Sequence, residues 1–172
     1  MKPSLLCLLF CLLLVVRLNA IDDWTQWRGK DRADISTEKG LLQEWPEKGP
    51  ARLWTNNQAG LGYAGFAVVG NRLYTMGLEG EEEFALCLDA STGEQVWRTK
   101  IGDKFVNGWG DGPRSTPTVQ GDRVYVLTSY LDLQCLDAAS GRLLWRRNFP
   151  EEFPGDRKST RLNSSHTVIS YA

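Results

Sequence analysis

The sequence has little of what metal centres and nucleophilic enzymes use. Its 172 residues include one histidine, at position 166, four cysteines and two methionines. Cys7 and Cys11 lie in an amino-terminal apolar run, so only Cys87 and Cys135 remain for the fold. There is no nucleophile–His–acid set, no Cys/His zinc spacing and no phosphate-binding glycine motif. The sequence therefore predicts no catalytic residue and no metal site.

A strong charge of either sign is also absent. The chain carries 20 Lys and Arg residues against 21 Asp and Glu residues, a formal net charge of −1. Proteins that bind nucleic acid usually present a clustered basic surface, because they must neutralise phosphates. The basic residues here are scattered along the chain. We therefore expect no nucleic-acid partner.

No apolar run is long enough to span a membrane. Residues 5–16 form a run of about 12 residues, whereas a spanning helix needs roughly 18–20. Lys2 precedes this run and the small residue Ala20 follows it, which is the layout of a secretory signal peptide. We predict cleavage after residues 1–20, a periplasmic or otherwise extracytoplasmic protein, and no membrane span after cleavage. The alternative is an uncleaved membrane anchor, because Arg17 makes the cleavage region less well defined.

The carboxy-terminal end differs in composition from the rest. Residues 150–172 are predicted to be an unstructured tail without apolar alternation. Within it, residues 156–172 read DRKSTRLNSSHTVISYA, which resembles the translation of a sequencing adapter. A genuine disordered polar tail is the alternative. His166 lies in this segment and therefore carries no functional weight.

Between the two ends the chain repeats itself. Residues 87–97 read CLDASTGEQVW and residues 135–145 read CLDAASGRLLW. Upstream, Tyr74 and Tyr125 occupy matching contexts 51 residues apart, while the two motif tryptophans are 48 residues apart. We attribute the difference to a longer connection at residues 79–83, whose glutamates are expected to form a solvated hairpin tip.

Each copy has the pattern of four short strands. Apolar and polar residues alternate from Arg123 to Val126, and glycine-containing pairs separate the strands as turns. Four strands repeated every 40–50 residues are typical of a propeller blade. A β-sandwich also has regular short strands, but it would not repeat the same motif. We predict an all-β propeller fragment, with a leader over 21–51 and four-stranded antiparallel blades at 65–101 and 115–148.

A third tryptophan segment precedes the first blade. Residues 52–57 read RLWTNN and resemble the outer strand of each copy, with Trp54 in the place of the motif tryptophan. Propellers often close their ring by pairing an early strand with late strands, which removes a free sheet edge. We predict that 52–57 is such a ring-closing outer strand, within a partial propeller over 52–149. An isolated capping strand is the alternative.

The repeated motif resembles the tryptophan-docking motif of the pyrroloquinoline-quinone (PQQ) repeat propellers. The resemblance covers essentially all of 22–149, including DWTQWRG (23–29) and GWGDGPRSTPTV (108–119). It implies that each motif tryptophan packs between neighbouring blades over a small residue and a glycine. The cysteines stand where the family has alanine, so we expect buried thiols in different blades, too far apart to bond. The matching residues are Cys87, Asp89, Gly93 and Trp97 in one copy and Cys135, Asp137, Gly141 and Trp145 in the other.

Two connections between blades are candidate sites for a ligand. Residues 58–64 and residues 102–114 each join an outer strand to the next inner strand, and the second connection is long. The favoured interpretation is structural: Trp109 packs between blades, and Asp111 and Arg114 tie down the loop. In the alternative, Trp109, Asp111 and Arg114 bind a ligand, with Trp109 stacked on a planar ring and Arg114 paired with carboxylates. Calcium needs six or more oxygens, and the spacing of the loop's oxygen donors matches no known calcium loop.

The sequence is compatible with two functions. The favoured one is a non-catalytic binding or assembly scaffold, without a cofactor, for a protein or carbohydrate partner. The alternative is a PQQ- and calcium-dependent quinoprotein dehydrogenase of alcohols or sugars. Resemblance to that class implies a catalytic aspartate, calcium ligands from Glu and Asn and often adjacent cysteines, and no position here matches these specifically. Because fold alone does not fix function, the sequence leaves the partner or substrate open.

Overall fold

The computed structural model describes residues 23–153. The predicted signal peptide at 1–20 and the predicted adapter segment at 156–172 lie outside the described residues. No helix in the described part of the chain is long and apolar enough to cross a membrane.

The described chain folds into two four-stranded antiparallel sheets, which confirms the predicted all-β blade architecture. In each sheet the strands lie side by side in the order of the sequence, so every connection within a blade is a hairpin. The strands of the first blade are β1 (Ala67–Val69), β2 (Arg72–Glu79), β3 (Glu82–Asp89) and β4 (Gln95–Asp103). Those of the second are β5 (Thr118–Gln120), β6 (Arg123–Leu127), β7 (Asp132–Asp137) and β8 (Leu143–Asn148).

The two blades differ in the length of the central hairpin. β2 and β3 have 8 residues each, whereas β6 and β7 have 5 and 6. Glu79 pairs with Glu82 across a two-residue turn in which Gly80 has a φ of 59°. The additional residues of the first copy therefore lengthen the two strands, and the connection itself stays short.

The core lies between the two sheets. Val124 and Val126 alternate along β6 and face the first blade, as the period of a half-buried strand requires. A second, smaller cluster of Phe84, Leu86 and Leu88 lies on the opposite face of the first blade, against Ala59. The main cluster comprises Ala67, Tyr74, Met76, Ala85, Cys87, Trp97, Ile101, Val119, Val124, Val126, Leu136 and Ala138.

Trp97 connects the two blades. Its indole N–H donates to the carbonyl of Ala138 at 3.0 Å, and the ring lies against Gly141 in the turn before β8. Gly141 has a φ of 72°, and a Cβ at this position would overlap the indole. Thr99 adds a hydrogen bond to the carbonyl of Gly141 at 2.7 Å. The second blade thus offers a glycine turn on which the outer strand of the first blade docks.

Trp54 docks on the first blade in the same way. Its indole N–H donates to the carbonyl of Ala90 at 3.0 Å, and its ring lies against Gly93, whose φ is 74°. Asn56 takes the place of Thr99 and donates to the carbonyl of Gly93 at 2.8 Å. The docking interaction is therefore present twice among the described residues, and Trp54 supplies it upstream of both blades.

The predicted ring-closing role of residues 52–57 stays a prediction. These residues are extended and form no ladder with another strand among the described residues. A strand needs a neighbour to accept and donate its backbone hydrogen bonds, and the late strands predicted to pair with this segment lie outside the described residues. Side-chain docking of Trp54 and Asn56, without sheet pairing, holds it against the first blade.

The ends of the described chain add two local features. Trp24 exchanges two backbone hydrogen bonds with Val68 of β1, and Val119 of β5 donates to the carbonyl of Thr25 at 2.8 Å. The leader therefore joins the innermost strands of both blades. After β8, a single helical turn, α1 (Phe149–Glu152), occupies the start of the segment that we expected to be unstructured from residue 150, because Asn148 caps its first turn.

Replacement of the docked tryptophan should be far more costly than replacement of its exposed counterpart. Trp97 is 7% exposed, whereas Trp145 is 37% exposed and has no glycine turn to dock on among the described residues. We expect Trp97→Ala to lower the free energy of unfolding by about 3–5 kcal/mol, and Trp145→Ala by less than half as much. Urea unfolding followed by far-UV circular dichroism measures both, and equal losses would contradict the docking model.

Candidate functional site

The two candidate connections meet on one surface of the molecule. The N–H of Tyr63, in residues 58–64, donates to the carbonyl of Pro113 at 2.8 Å. The Tyr63 hydroxyl donates to the carbonyl of Trp109 at 2.6 Å. Gly110 and Gly112 both have positive φ values, and a Cβ at either would overlap residues 61–63. The glycines of the long loop therefore allow close contact with the shorter one.

Trp109 lies at the exposed tip of the long loop. Its side chain is not packed between blades, and the residue is 85% exposed. The backbone around it is held firmly: its N–H donates to the Asn107 side chain at 3.0 Å, and its carbonyl accepts from Tyr63. A large aromatic side chain is thus presented to solvent on a fixed support.

Asp111 holds the loop from inside. One carboxylate oxygen accepts the N–H of Asn107 at 3.1 Å, and the other lies 3.6 Å from the ammonium of Lys104. Lys104 also pairs with Glu81 at 3.3 Å, and this hydrogen bond is the main reason that the pKa of Lys104 is raised. The carboxylate that would contact a ligand in the ligand-binding alternative is therefore engaged within the protein.

Arg114 is likewise engaged. Its guanidinium carbon lies 4.8 Å from the centre of the Tyr63 ring and 5.8 Å from that of the Phe105 ring. One of its nitrogens donates to the carbonyl of Gly110. The structure brings Arg114 close to Trp109 and Asp111, as we expected for a site, but its cation is occupied by two aromatic faces and a backbone carbonyl.

Glu83 is the residue that sequence reasoning missed. We expected a solvated hairpin tip at 79–83, whereas the Glu83 side chain is fully buried beneath the long loop. Its Oε1 accepts the N–H of Phe105 at 3.3 Å, and no hydrogen-bond partner for its Oε2 is present in the structure. Burial raises the pKa of Glu83 to about 6, against the opposing effects of the hydrogen bond from the Phe105 N–H and of the positive charge of Arg114.

The docking-motif aspartates hold the glycine turns in shape. One oxygen of Asp89 accepts hydrogen bonds from the N–H and hydroxyl of Ser91 and from the N–H of Thr92, at 2.9, 2.6 and 3.1 Å. Hydrogen bonds from Ser91 lower the pKa of Asp89 to about 2. Asp137 accepts the N–H of Ser140 at 2.8 Å in the equivalent turn. Both aspartates therefore use their carboxylates to stabilise the turns.

The motif cysteines pack across the sheet from the tryptophans. Cys87 pairs with Trp97 and Cys135 with Trp145 in the strand register, and both thiols are buried and free. Burial raises the pKa of both thiols, that of Cys87 to about 11. Because the thiolate is the reactive form, neither residue is set up as a nucleophile.

The oxygen donors of the long loop do not converge. Asp103 pairs with Lys100 at 3.2 Å, while Asp111 faces Lys104 and the N–H of Asn107. Across residues 23–153, no three His, Cys, Asp or Glu side chains are grouped as a metal site would require. These donors do not fit the calcium ion that a quinone cofactor would need.

Comparison with known families gives a match over most of the chain. Residues 38–169 match the family described as "Outer membrane protein assembly factor BamB". This range includes both blades and also runs into the segment for which we predict an adapter origin, so that origin stays a prediction. No curated protein sequence matches the chain.

Solved structures similar to this chain are much longer proteins. Quinohemoprotein alcohol dehydrogenase from Comamonas testosteroni matches with 22% identity and a TM-score of 0.53, over 79% of this chain and 21% of that one. BamB from Moraxella catarrhalis matches with 21% identity and a TM-score of 0.44, over 55% and 27%. At such identities the first likeness supports the propeller fold alone.

The ionisation of Glu83 should leave a pH signature on stability. Its folded-state pKa of about 6 lies above 4.5, so the folded chain binds this proton more tightly than the unfolded chain. The resulting stabilisation is fully present below pH 4.5 and is lost as the pH rises through 6. Between pH 4.5 and 7, the unfolding free energy of the wild type should fall by about 1–2 kcal/mol relative to Glu83→Gln. Parallel profiles for the two proteins would refute this assignment.

The motif thiols should resist modification in the folded chain. Iodoacetamide at pH 8 should leave Cys87 and Cys135 unlabelled in the native protein, because both are buried and protonated. In denaturant without reductant, both should become alkylated, and tryptic peptide mapping distinguishes them from Cys7 and Cys11. A linked peptide containing both residues would instead show a disulfide and overturn the blade register.

Proposed function

The chain belongs to the PQQ-repeat family described as outer membrane protein assembly factor BamB, and from that membership we propose that it acts as a non-catalytic binding scaffold. The partner that we propose is a protein, in keeping with the assembly role that the family description names. We also propose an extracytoplasmic location, on the basis of this family and of the predicted signal peptide. The two described blades would form part of a larger propeller.

The observation that carries this proposal is the state of the polar groups at the candidate site. Asp111 pairs with Lys104, Arg114 is covered by two aromatic rings, and Asn107 receives the N–H of Trp109. Catalysis needs a nucleophile, acid or base within hydrogen-bond reach of a substrate. Here these groups support a loop, and what the loop presents outward is an aromatic side chain. Such an arrangement suits binding without chemistry.

The dehydrogenase alternative rests on the fold likeness and on Trp109. An exposed indole is able to stack on a planar quinone, which supplies the redox chemistry in proteins that hold it. The described residues lack the oxygen cluster for the accompanying calcium, since Asp103 and Asp111 each face a lysine. The alternative therefore draws no support from the residues around Trp109 beyond stacking.

Thermal melting with the cofactor distinguishes the two functions. A ligand at a hundredfold excess over its dissociation constant stabilises a fold by about 2.7 kcal/mol, which for a chain of this size raises the melting temperature by about 5–10 °C. We expect PQQ with calcium to produce no shift and dye-linked assays to show no alcohol oxidation. A reproducible shift with turnover, both lost in Trp109→Ala, would favour the dehydrogenase.

A further inference from the structure

We propose that the aromatic loop surface is a docking site for an uncharged, apolar segment of a protein partner. This inference rests on the proposed binding function and assigns it a place on the molecule and a partner chemistry. We define the aromatic loop surface by five side chains from three connections, each at least half exposed: Leu61, Tyr63, Val106, Trp109 and Tyr130.

Contacts link the aromatic residues of this surface from Trp109 to Tyr130. The Tyr63 hydroxyl contacts the backbone of Trp109, and the Tyr63 ring lies against Gly110. Arg114 bridges from Tyr63 to Phe105. Phe105 meets Tyr130 edge to face, with ring centroids 5.5 Å apart. Aromatic side chains bury a large area when a partner covers them, so exposed rings gathered at one place mark a candidate interaction surface.

Hydrogen bonds hold the backbone of this surface in place before any partner binds. Trp109 is held through both its N–H and its carbonyl, and the Tyr130 hydroxyl donates to the carbonyl of Lys104 at 3.2 Å. Beneath the loop, Glu83 accepts the N–H of Phe105. A preorganised aromatic surface loses little conformational entropy when it binds, which favours affinity.

The hydrogen-bonding state of the surface selects the kind of partner. Carbohydrate recognition requires free polar groups beside an exposed ring. The hydroxyls of Tyr63 and Tyr130 both donate within the protein, and the side-chain oxygen of Asn107 accepts the N–H of Trp109. What remains outward consists of ring faces and the aliphatic side chains of Leu61 and Val106, which match apolar side chains.

The state of the charged side chains around the surface also favours an uncharged, apolar partner. Lys104 pairs with Glu81 and Asp111, and the guanidinium of Arg114 contacts two aromatic rings and the carbonyl of Gly110. Because both cations are already engaged within the protein, a charged partner would lose hydration without gaining a free ion-pair partner among them. Exposed tryptophan and tyrosine side chains are also the residues that most often dominate the energy of protein interfaces.

Selection from a displayed library of random dodecapeptides tests the proposal. Peptides enriched on the whole chain should be rich in Leu, Phe and Trp and poor in charge. For a synthetic copy of the best peptide, fluorescence polarisation should show at least about 30-fold weaker binding to Trp109→Ala. The affinity should change by less than about twofold between about 50 and 500 mM NaCl.

Trp45→Ala is the matched control. Trp45 is 70% exposed and lies in the leader, so its replacement should leave peptide binding unchanged. Trp109→Ala should have the same melting temperature as the wild type, because the indole that it removes is largely in solvent. Peptides that bind wild type and Trp109→Ala equally would refute the docking site while leaving the scaffold function in place.

Two further outcomes count against the proposal. Binding of maltoheptaose or chitohexaose that disappears in Trp109→Ala would replace the apolar partner with a carbohydrate. A selection that yields no binding peptide would remove the support for a peptide-docking surface. The PQQ and calcium melting assay is independent of this selection, so failure of the surface and failure of the scaffold function are distinguishable.

Discussion

The docking of an indole on a glycine turn is the interaction on which the rest of the structure depends. Trp54 and Trp97 each donate to an alanine carbonyl and cover a glycine with positive φ. A Cβ at Gly93 or Gly141 would overlap the ring, so only glycine permits both the backbone conformation and the contact. The preceding aspartate fixes the turn with its carboxylate. Each blade therefore completes the interface of the blade before it, and the repeat in the sequence is a repeat of this contact.

Docking between blades also determines where the loops lie. Trp97 fixes the distance from β4 to the turn before β8, and Trp54 fixes the segment before β1 against the first blade. The connections that follow these two tryptophans are consequently brought side by side, and Tyr63 reaches the backbone of Trp109 across 46 residues of sequence. The aromatic loop surface is thus a result of the repeat geometry, although none of its side chains belongs to the repeated motif.

The sequence predicts the parts of this structure that depend on local pattern. Alternation and turn glycines predict two four-stranded blades, and the repeated motif identifies the docking tryptophans. The burial of Glu83 could not be predicted from local pattern. It depends on β3 being two residues longer than β7, its counterpart in the second blade, and on a loop that folds over the side chain. Residues 52–57 show the reverse case: the side-chain pattern of a strand is present, but the hydrogen-bonding neighbour is not among the described residues. The burial of Glu83 and the pairing of residues 52–57 both depend on tertiary contacts, which a local pattern does not contain.

The candidate site favours binding over catalysis because its polar side chains are used to anchor the loop. A polar side chain that anchors a loop has its donors or acceptors occupied, and a catalytic group must keep them available for the substrate. The loop is anchored in this way by Asp111, Arg114 and Asn107. Glu83 carries the one buried side-chain oxygen without a partner among the described residues, and it is sealed beneath the loop where no substrate reaches it. The loop therefore uses its polar residues to hold Trp109 in place, and what it offers to another molecule is a fixed apolar surface.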